Sequence, residues 1–424
     1  MASALRISSL ASRMAVRSAA RPSLLAAPVR AFSQSAVARE NHPQSLFRFT
    51  EDEQMLQESV RKFANEVVKP RTFNMDETEH LDQVVWDGMF ENGLMGIETP
   101  EELGGAGMSF TAAILAVEEL SRIDASVSVA CDVHNTLVNT LLRQHGSDYL
   151  KEKYLTRLAT DTVGSFGLTE AGSGSDAFAL ATTATKKGDK YIINGGKMWI
   201  TNSGEAGIFL VFANVDPSKG YKGITCFLVE KEWGVTIAKK EKKLGIKCSS
   251  TCELNFEDIE VPAENIVGEI GKGYKYAIEI LNEGRVGIAA QMIGIAQGSL
   301  DLALPYMAQR KQFGTAILDF QGIEHQVAQV ATELEAARLL TYNAARLKEE
   351  GAPFVKEAAM AKLYASQIAE KAASKAIEWV GGVGFTRDFG LEKFYRDAKI
   401  GAIYEGTSNI QLQTIAKIIK KDYR

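Results

Sequence analysis

Two rhythms of apolar spacing alternate along the chain. Thr50 and Glu53 form a capping box ahead of Leu56, Val60, Phe63 and Val67, which recur at helical spacing. Pro70 is expected to close that helix. Helical patterns also cover residues 109–122 and 134–158, and the segment PEELGGAGM, Pro100 to Met108, reads as a loop. From Ser165 to about Phe256 the chain is rich in Thr, Val, Ile, aromatic residues and turn signals. KYIINGGKMWIT predicts a strand, a glycine turn and a second strand, and YKGITCFLVE and STCELNFEDIEV predict further strands. Short strands at this spacing point to a small β-barrel or sandwich. Helical spacing returns near Gly273. Val327, Val330, Ala331, Leu334, Ala337 and Leu340 share one stripe, Gly351 and Pro353 interrupt it, and an alanine-rich helix from about Val355 to Val380 follows. Small side chains let helices approach closely, so this part predicts a packed antiparallel bundle. The order is α, then β, then α, without internal repeats.

Composition narrows the class. The chain has 424 residues, 46% hydrophobic and 24% charged, a length that suggests two or three domains. Without a run of about 18 apolar residues, no membrane-spanning helix is expected. A net charge of −5 gives no electrostatic footprint for nucleic acid. The charge is uneven, however. Residues 1–39 carry six arginines, much Ser and Ala, and no acidic residue before Glu40. That composition predicts a mitochondrial transit peptide and hence a matrix protein. Removing those six leaves 42 basic residues against 53 acidic ones, an acidic mature chain. Cys131, Cys226, Cys248 and Cys252 form no CxxC pair, and the five histidines show no metal-binding spacing. Neither a metal site nor a disulfide framework is expected.

Gly172, Gly174 and Ala177 fit the spacing of a dinucleotide-binding turn. Such a turn must open a helix, whereas Leu180, Thr182, Ala184 and GDKYIING read as extended chain. A flexible glycine turn and a loop whose N–H groups face an anionic cofactor edge both remain open.

Four further segments carry chemistry: FGLTEAGSGSD (Phe166 to Asp176), KMWITN (Lys197 to Asn202), QRKQFG (Gln309 to Gly314) and YRDAKIGAIYEGTSNIQ (Tyr395 to Gln411). In this order and near this spacing they resemble the signatures of the acyl-CoA dehydrogenase family, over roughly residues 48–420. DVHNTL, LNEGRVGIAAQMIGIAQG and NIQLQTIAK are similar to the family's short/branched-chain members. The resemblance implies an α+β multidomain fold: transit peptide 1–39, N-terminal helical domain 46–160, middle β-domain 161–272 and C-terminal four-helix bundle 273–424. It further implies FAD, an acyl-CoA substrate, electron-transfer flavoprotein as acceptor, a homotetramer, and a place in branched-chain amino-acid and fatty-acid catabolism.

In that family a carboxylate removes the α-proton of the thioester while the β-hydride goes to the flavin. The matching carboxylate is Glu405. In solution a carboxylate near pKa 4.3 is a weak base, so burial is expected to raise it. Its own backbone N–H and a flavin hydroxyl are implied to hold the thioester oxygen. By the same resemblance Phe166, Leu168, Thr169 and Ser175 border the flavin, with Ser175 also near the CoA. Trp199, Ile200 and Thr201 pack along it, and Arg310, Gln321, Gly381 and Gly382 hold its diphosphate and adenosine part, partly across a subunit interface. Thr407, Ser408 and Asn409 complete the FAD set. Tyr221, Tyr274, Asn282, Glu283, Gly284, Arg285 and Tyr404 match substrate-contacting positions. Arg285 also has a plainer reading, as a buried structural ion-pair partner.

Some family branches carry the base at the helical position held here by Gly284 and lack a glutamate at 405. Gly284 with Glu405 places this chain with the straight short-, medium- and short/branched-chain groups. Glu283 is turned about 100° away along a helix and is not expected to substitute. Leu412 replaces the arginine of many straight-chain members, as in short/branched-chain relatives. An acyl-CoA oxidase is the first competing reading and the presequence argues against it. A non-catalytic assembly factor on the same fold is the second, and an intact Glu405 argues against that. N-terminal sequencing of the protein from mitochondria should find a start between Ser33 and Asn41, where the acid-free segment ends. An intact Met1 on matrix protein would contradict the presequence.

Overall fold

The computed structural model describes residues 48–424, so the transit-peptide expectation lies outside the described residues. The capping box forms: Thr50 Oγ1 accepts from Glu53 N and the Glu53 carboxylate accepts from Thr50 N, opening α1 (Glu51–Phe63). Pro70 does not end this helical run. It sits in a 3-10 turn, Lys69–Arg71, where its missing N–H costs nothing, and the chain continues into α2 (Thr72–Thr78). Next come α3 (Gln83–Glu91) and α4 (Phe110–Ser121), the latter capped by Ser109 and buried along its whole length. The expected helix 134–158 is several pieces. α5 (Ala125–Asp132) starts earlier, capped by Asp124, and runs through a π-helical segment, Val133–Asn139, into α6 (Thr140–His145). Gly146 and Ser147 then break it, and Ser147 caps a fresh start at α7 (Asp148–Leu150), followed by α8 (Thr156–Thr160).

The middle part is one eight-stranded sheet in the order β6-β7-β3-β2-β4-β5-β8. Its strands are β1 (Gly164–Gly167), β2 (Thr183–Lys187), β3 (Lys190–Thr201), β4 (Ile208–Asn214), β5 (Ile224–Glu230), β6 (Thr236–Lys240), β7 (Thr251–Pro262) and β8 (Ile266–Val267); β1 pairs parallel to β4. The ends β6 and β8 do not pair, so this is no closed barrel. Instead the sheet doubles back, and Tyr191 on β3 meets Phe227 on β5 with ring centroids 5.2 Å apart. β4 and β5 are apolar on both faces. Phe209, Val211 and Phe227 pack within the doubled sheet, while Leu210, Phe212 and Leu228 join the core of the helices.

KYIINGGKMWIT is a single strand and not a hairpin. The turn lies before it, at Gly188, and the internal glycines make a bulge against β7. Gly195 has φ +144°, and a Cβ there would lie 2.6 Å from Thr182 Oγ1, so no other residue fits. A second bulge falls between Lys197 and Ile200.

The C-terminal part contains α9 (Gly273–Gln309), the short hairpin β9–β10 (Lys311–Gln312 and Thr315–Ala316), α10 (Gln321–Glu349), α11 (Val355–Val380), α12 (Leu391–Ala398) and α13 (Ser408–Asp422). α9 is apolar enough to cross a membrane by composition alone, but 83% of its apolar window is buried as a core helix. On α10 the expected stripe holds at Val330, Leu334 and Ala337, whereas Ala331 is exposed.

A buried carboxylate ties the first helix to this bundle. Glu53 accepts two bonds from Arg346 on α10 (2.8 and 2.7 Å), one from Ser109 Oγ (2.9 Å) and the capping bond from Thr50 N. Burial alone would raise its pKa; Arg346, Thr50 and Ser109 together hold it below the ordinary value. A depressed carboxylate stabilises the fold above its unfolded pKa, and that stabilisation is lost as pH falls through the folded one. Glu53→Ala, which leaves Arg346 with Glu349 as its remaining carboxylate partner and removes the cap on Thr50 N, should cost about 2 kcal/mol at pH 7 in urea denaturation. The loss should shrink at low pH, where wild type has protonated Glu53.

Candidate active site

The turn between α12 and α13 carries Glu405 in the left-handed region, φ +50°, followed by Gly406 at +85°. A glutamate there is strained, and such strain concentrates at functional sites. The turn aims the carboxylate at α9: a Cβ on Gly284 would lie 3.0 Å from Glu405 Oε2 and 2.9 Å from Leu137 Cδ2. Gly284 therefore faces the Glu405 carboxylate, and Leu137, on the π-helical segment, closes the space. Glu405 Oε2 is sealed from solvent in the chain and has no hydrogen-bond partner among the described residues. Burial pushes the carboxyl up from its ordinary 4.5 to about 7, against the pull of Lys362 and Arg285.

The neighbours explain that value. Lys362 on α11 is fully buried and donates to Gly406 O at 2.7 Å. Arg285 donates to Asn282 Oδ1 at 2.8 Å and makes no ion pair among the described residues, so its plainer reading finds no partner; burial lowers its pKa and Glu405 opposes. Asp132, at the end of α5, is held well above the usual carboxylate range by burial and then by Glu405. Tyr404 donates its hydroxyl to Gln291 Oε1. The Glu283 side chain turns elsewhere, to Gln144 (2.9 Å) and Lys348 (3.2 Å).

A second group of expected residues assembles beside this one. Ser165 Oγ donates to Thr201 O, Met198 N to Thr169 O, and Lys197 Nζ to Leu168 O, which brings 165–169 alongside 197–201. The bulge puts Trp199 at φ +57° and turns its ring outward, 56% exposed, while Ile200 and Phe166 are buried. Lys197 is buried and paired with Glu170 at 2.7 Å; burial lowers its pKa to about 8, with Glu170 opposing. Glu170 also accepts from Thr182 N through the oxygen that holds Lys197 and from Ala181 N through the other, so one carboxylate anchors both ends of the loop that carries Gly172, Gly174 and exposed Ser175. No helix follows this loop, in keeping with the rejected dinucleotide motif. Asn202 donates to Ala130 O and joins this strip to the Asp132 end of α5. Across the loop, Phe178, Tyr274 and Tyr221 form a row of edge contacts at 6.3 and 4.9 Å.

Arg310, Gln321, Gly381 and Gly382 are exposed and lie apart from Glu405, at one end of the bundle. Ile317 N to Arg310 O, the Tyr306–Phe389 ring contact and the Trp379–Gln326 bond hold that end together. Thr407 caps α13 through Ile410 N, Ser408 opens that helix and Asn409 is exposed.

Three family models match in sequence: the acyl-CoA dehydrogenase N-terminal domain over residues 50–162, the middle domain over 165–259 and the C-terminal domain over 271–420. The chain belongs to the acyl-CoA dehydrogenase family. It is 57% identical over 376 residues to the mitochondrial short/branched chain specific acyl-CoA dehydrogenase of Rattus norvegicus, covering 88% of this chain and 87% of that one. Among solved structures it resembles butyryl-CoA dehydrogenase from Megasphaera elsdenii, with 40% identity, TM-score 0.86, and 88% and 99% of the two chains covered. It also resembles a chain from the structure of the electron transferring flavoprotein of Acidaminococcus fermentans, with 43% identity, TM-score 0.86 and the same coverage. Members of this family are flavin-dependent oxidoreductases that act on acyl-CoA.

Sequence reasoning missed Lys362, Glu170 with Lys197, Asp132, Leu137 and Gln411. For Lys362 a signal existed: it interrupts the alanine face Ala358, Ala361, Ala365, where a charge belongs only if something needs it. The raised Glu405 pKa has a consequence for stability. A carboxyl raised from 4.5 to about 7 makes the folded chain bind the extra proton, so its burial costs stability as pH rises through that range. Glu405→Gln should therefore gain up to about 3 kcal/mol at pH 8 and nothing at pH 4. Denaturation at fixed flavin content at the two pH values checks the sign.

Proposed function

We propose that this chain is an FAD-dependent acyl-CoA dehydrogenase that oxidises short straight or short branched acyl-CoA thioesters, 2-methylbutyryl-, isobutyryl- or butyryl-CoA, to the 2-enoyl-CoA. The observation that carries the reading is Glu405: its Oε2 is sealed from solvent without a hydrogen-bond partner among the described residues, its pKa is near 7, and it is aimed at a glycine on the facing helix. A base poised near the operating pH is suited to abstract a weakly acidic proton. An acyl chain between Gly284, Leu137 and Tyr404 would bring its α-carbon to Glu405, which takes the α-proton. The FAD supplies the acceptor for the β-hydride. For that group the exposed Trp199 ring and the open space around Gly172, Gly174, Gly381 and Gly382 fit a large planar, anionic ligand. We assign it Phe166, Leu168, Thr169, Ser175, Trp199, Ile200 and Thr201 along the ring system. The N-terminus of α13, Thr407 to Asn409, belongs to the same set, as do Arg310, Gln321, Gly381 and Gly382 at the adenosine end. Tyr221, Tyr274, Asn282 and Arg285 would border the acyl-CoA, and Glu283 would hold α9 in place through Lys348 and Gln144.

The remaining parts follow from relatives. The mitochondrial name of the rat protein supports a matrix enzyme. The likeness to the electron transferring flavoprotein structure supports such a flavoprotein as acceptor. A homotetramer is supported by Phe313 and Phe385, 98% and 81% exposed at the end of the bundle that holds Arg310 and Gly381. Domain boundaries near residues 160 and 272 accord with the breaks between the helical and β segments.

Anaerobic mixing of the purified protein with the three acyl-CoAs should bleach its flavin; no bleaching with any of them defeats the reading. Glu405→Gln should keep its flavin and slow the bleaching by about 10²–10⁴. Glu405→Gly should be nearly inactive, and adding Gly284→Glu should restore part of the rate, because position 284 faces the same point in space. The new Cβ must push Leu137 aside, and a misplacement of about 1 Å can cost 10²-fold, so rescue should be incomplete. Single-turnover rates of the two variants, compared at equal flavin content, decide this.

A further inference from the structure

Lys362 sits on α11 between Ala358, Ala359, Ala361 and Ala365, all fully buried like itself. A lysine in such a place is unfavourable unless its charge is answered. Its one hydrogen bond goes to a backbone carbonyl, Gly406 O at 2.7 Å, and it makes no ion pair among the described residues. One turn further along α11, Ser366 Oγ lies between Gly401 O (2.9 Å) and Lys362 O (2.7 Å), its one proton shared between the two carbonyls. The same helix thus grips the segment 401–406 at both ends. From α13, Gln411 Nε2 donates to Glu405 O (3.0 Å) and Gly406 O (2.9 Å). The segment needs these holds, because Glu405 and Gly406 are consecutive residues with positive φ.

The charged and titratable groups facing Glu405 are few. Lys362 approaches from α11, Arg285 from α9, Asp132 from the end of α5, and the Tyr404 hydroxyl from the same turn. Burial pushes the Asp132 carboxyl and the Tyr404 hydroxyl up, which disfavours a charge on either, and Glu283 is turned to Lys348. Among the described residues, Lys362 and Arg285 are the cations that answer a negative charge on Glu405, and of the two Lys362 is also bonded to the backbone that carries it.

We propose that Lys362 is a positioning residue for the proton transfer. Its ammonium locks the Gly406 carbonyl, keeps Glu405 in the left-handed turn that aims it at Gly284, and balances the charge of the ionised carboxylate. This rests on Glu405 being the base. Two effects are joined in one side chain: geometry through the hydrogen bond, and electrostatics through the charge.

The test compares Lys362→Met, which removes charge and donor at similar length, with Lys362→Arg, which keeps both. In the flavin-loaded enzyme, the pH midpoint of single-turnover flavin reduction by butyryl-CoA should rise in Lys362→Met by about one pH unit or more. The rate at pH 7 should fall roughly five-fold with it, while the dissociation constant for butyryl-CoA changes less than about two-fold. Hydrogen–deuterium exchange in peptides covering 401–411 should speed up in the same variant without substrate. Lys362→Arg should recover most of both effects. An unchanged midpoint with unchanged exchange overturns the proposal, as does a midpoint shifted equally in both variants, which would mean a packing effect only. If Lys362→Met does not fold, Lys362→Leu, which also removes both charge and donor, is read by the same criteria. If wild type itself is not bleached by any acyl-CoA, the functional reading fails instead, and the exchange comparison still decides whether Lys362 holds the turn.

Discussion

A carboxylate with one oxygen, Glu405 Oε2, sealed from solvent and without a hydrogen bond is the constraint on which the site depends. Taking Glu405 out of water is unfavourable for its ionised form, and the fold concedes this by letting its pKa rise to about 7. The rise stops there because Lys362 and Arg285 stand opposite. The cations alone would pull it below the ordinary carboxylate range, and burial alone would push it higher still. The balance of the two leaves a group that is half ionised near neutrality and has no partner to release before it can accept a proton.

The rest of the architecture keeps that group in place. Glu405 is strained in its turn, so the turn is held from α11 by Lys362 and Ser366 and from α13 by Gln411. The space in front of it stays open because α9 has no side chain at Gly284. The flavin side uses the same device, a buried charge that organises backbone: Glu170 pairs with Lys197 on β3 and accepts from both Ala181 and Thr182, which fixes the glycine loop while its tip stays exposed. A third buried cluster joins the three parts of the chain. Lys393 on α12 lies between Asp397 (2.6 Å) and Asp124 (3.3 Å), and Asp397 accepts from Ile246 N of the β-domain. Such clusters are costly to bury, and each is spent here on fixing one geometry.

Local chemistry in the sequence determined much of this protein. The capping box at Thr50 and Glu53, the break at Gly351 and Pro353, the helix Val355–Val380 and the strands of β5 and β7 are set by residues adjacent in the chain, because capping, turn formation and apolar period act over a few positions. The motif around Glu405 was legible for the same reason, since its residues lie side by side. Tertiary structure decided the rest. KYIINGGKMWIT could be a hairpin or a bulged strand, and only the pairing of β3 with β7 selects the bulge that turns Trp199 outward. Pro70 could stop a helix or sit in its 3-10 turn, and packing selects the second. Lys362, Asp132, Leu137 and Gly284 lie 43, 273, 268 and 121 positions before Glu405. No local pattern links them, and burial, which sets the carboxylate's pKa, is a property of all these segments together.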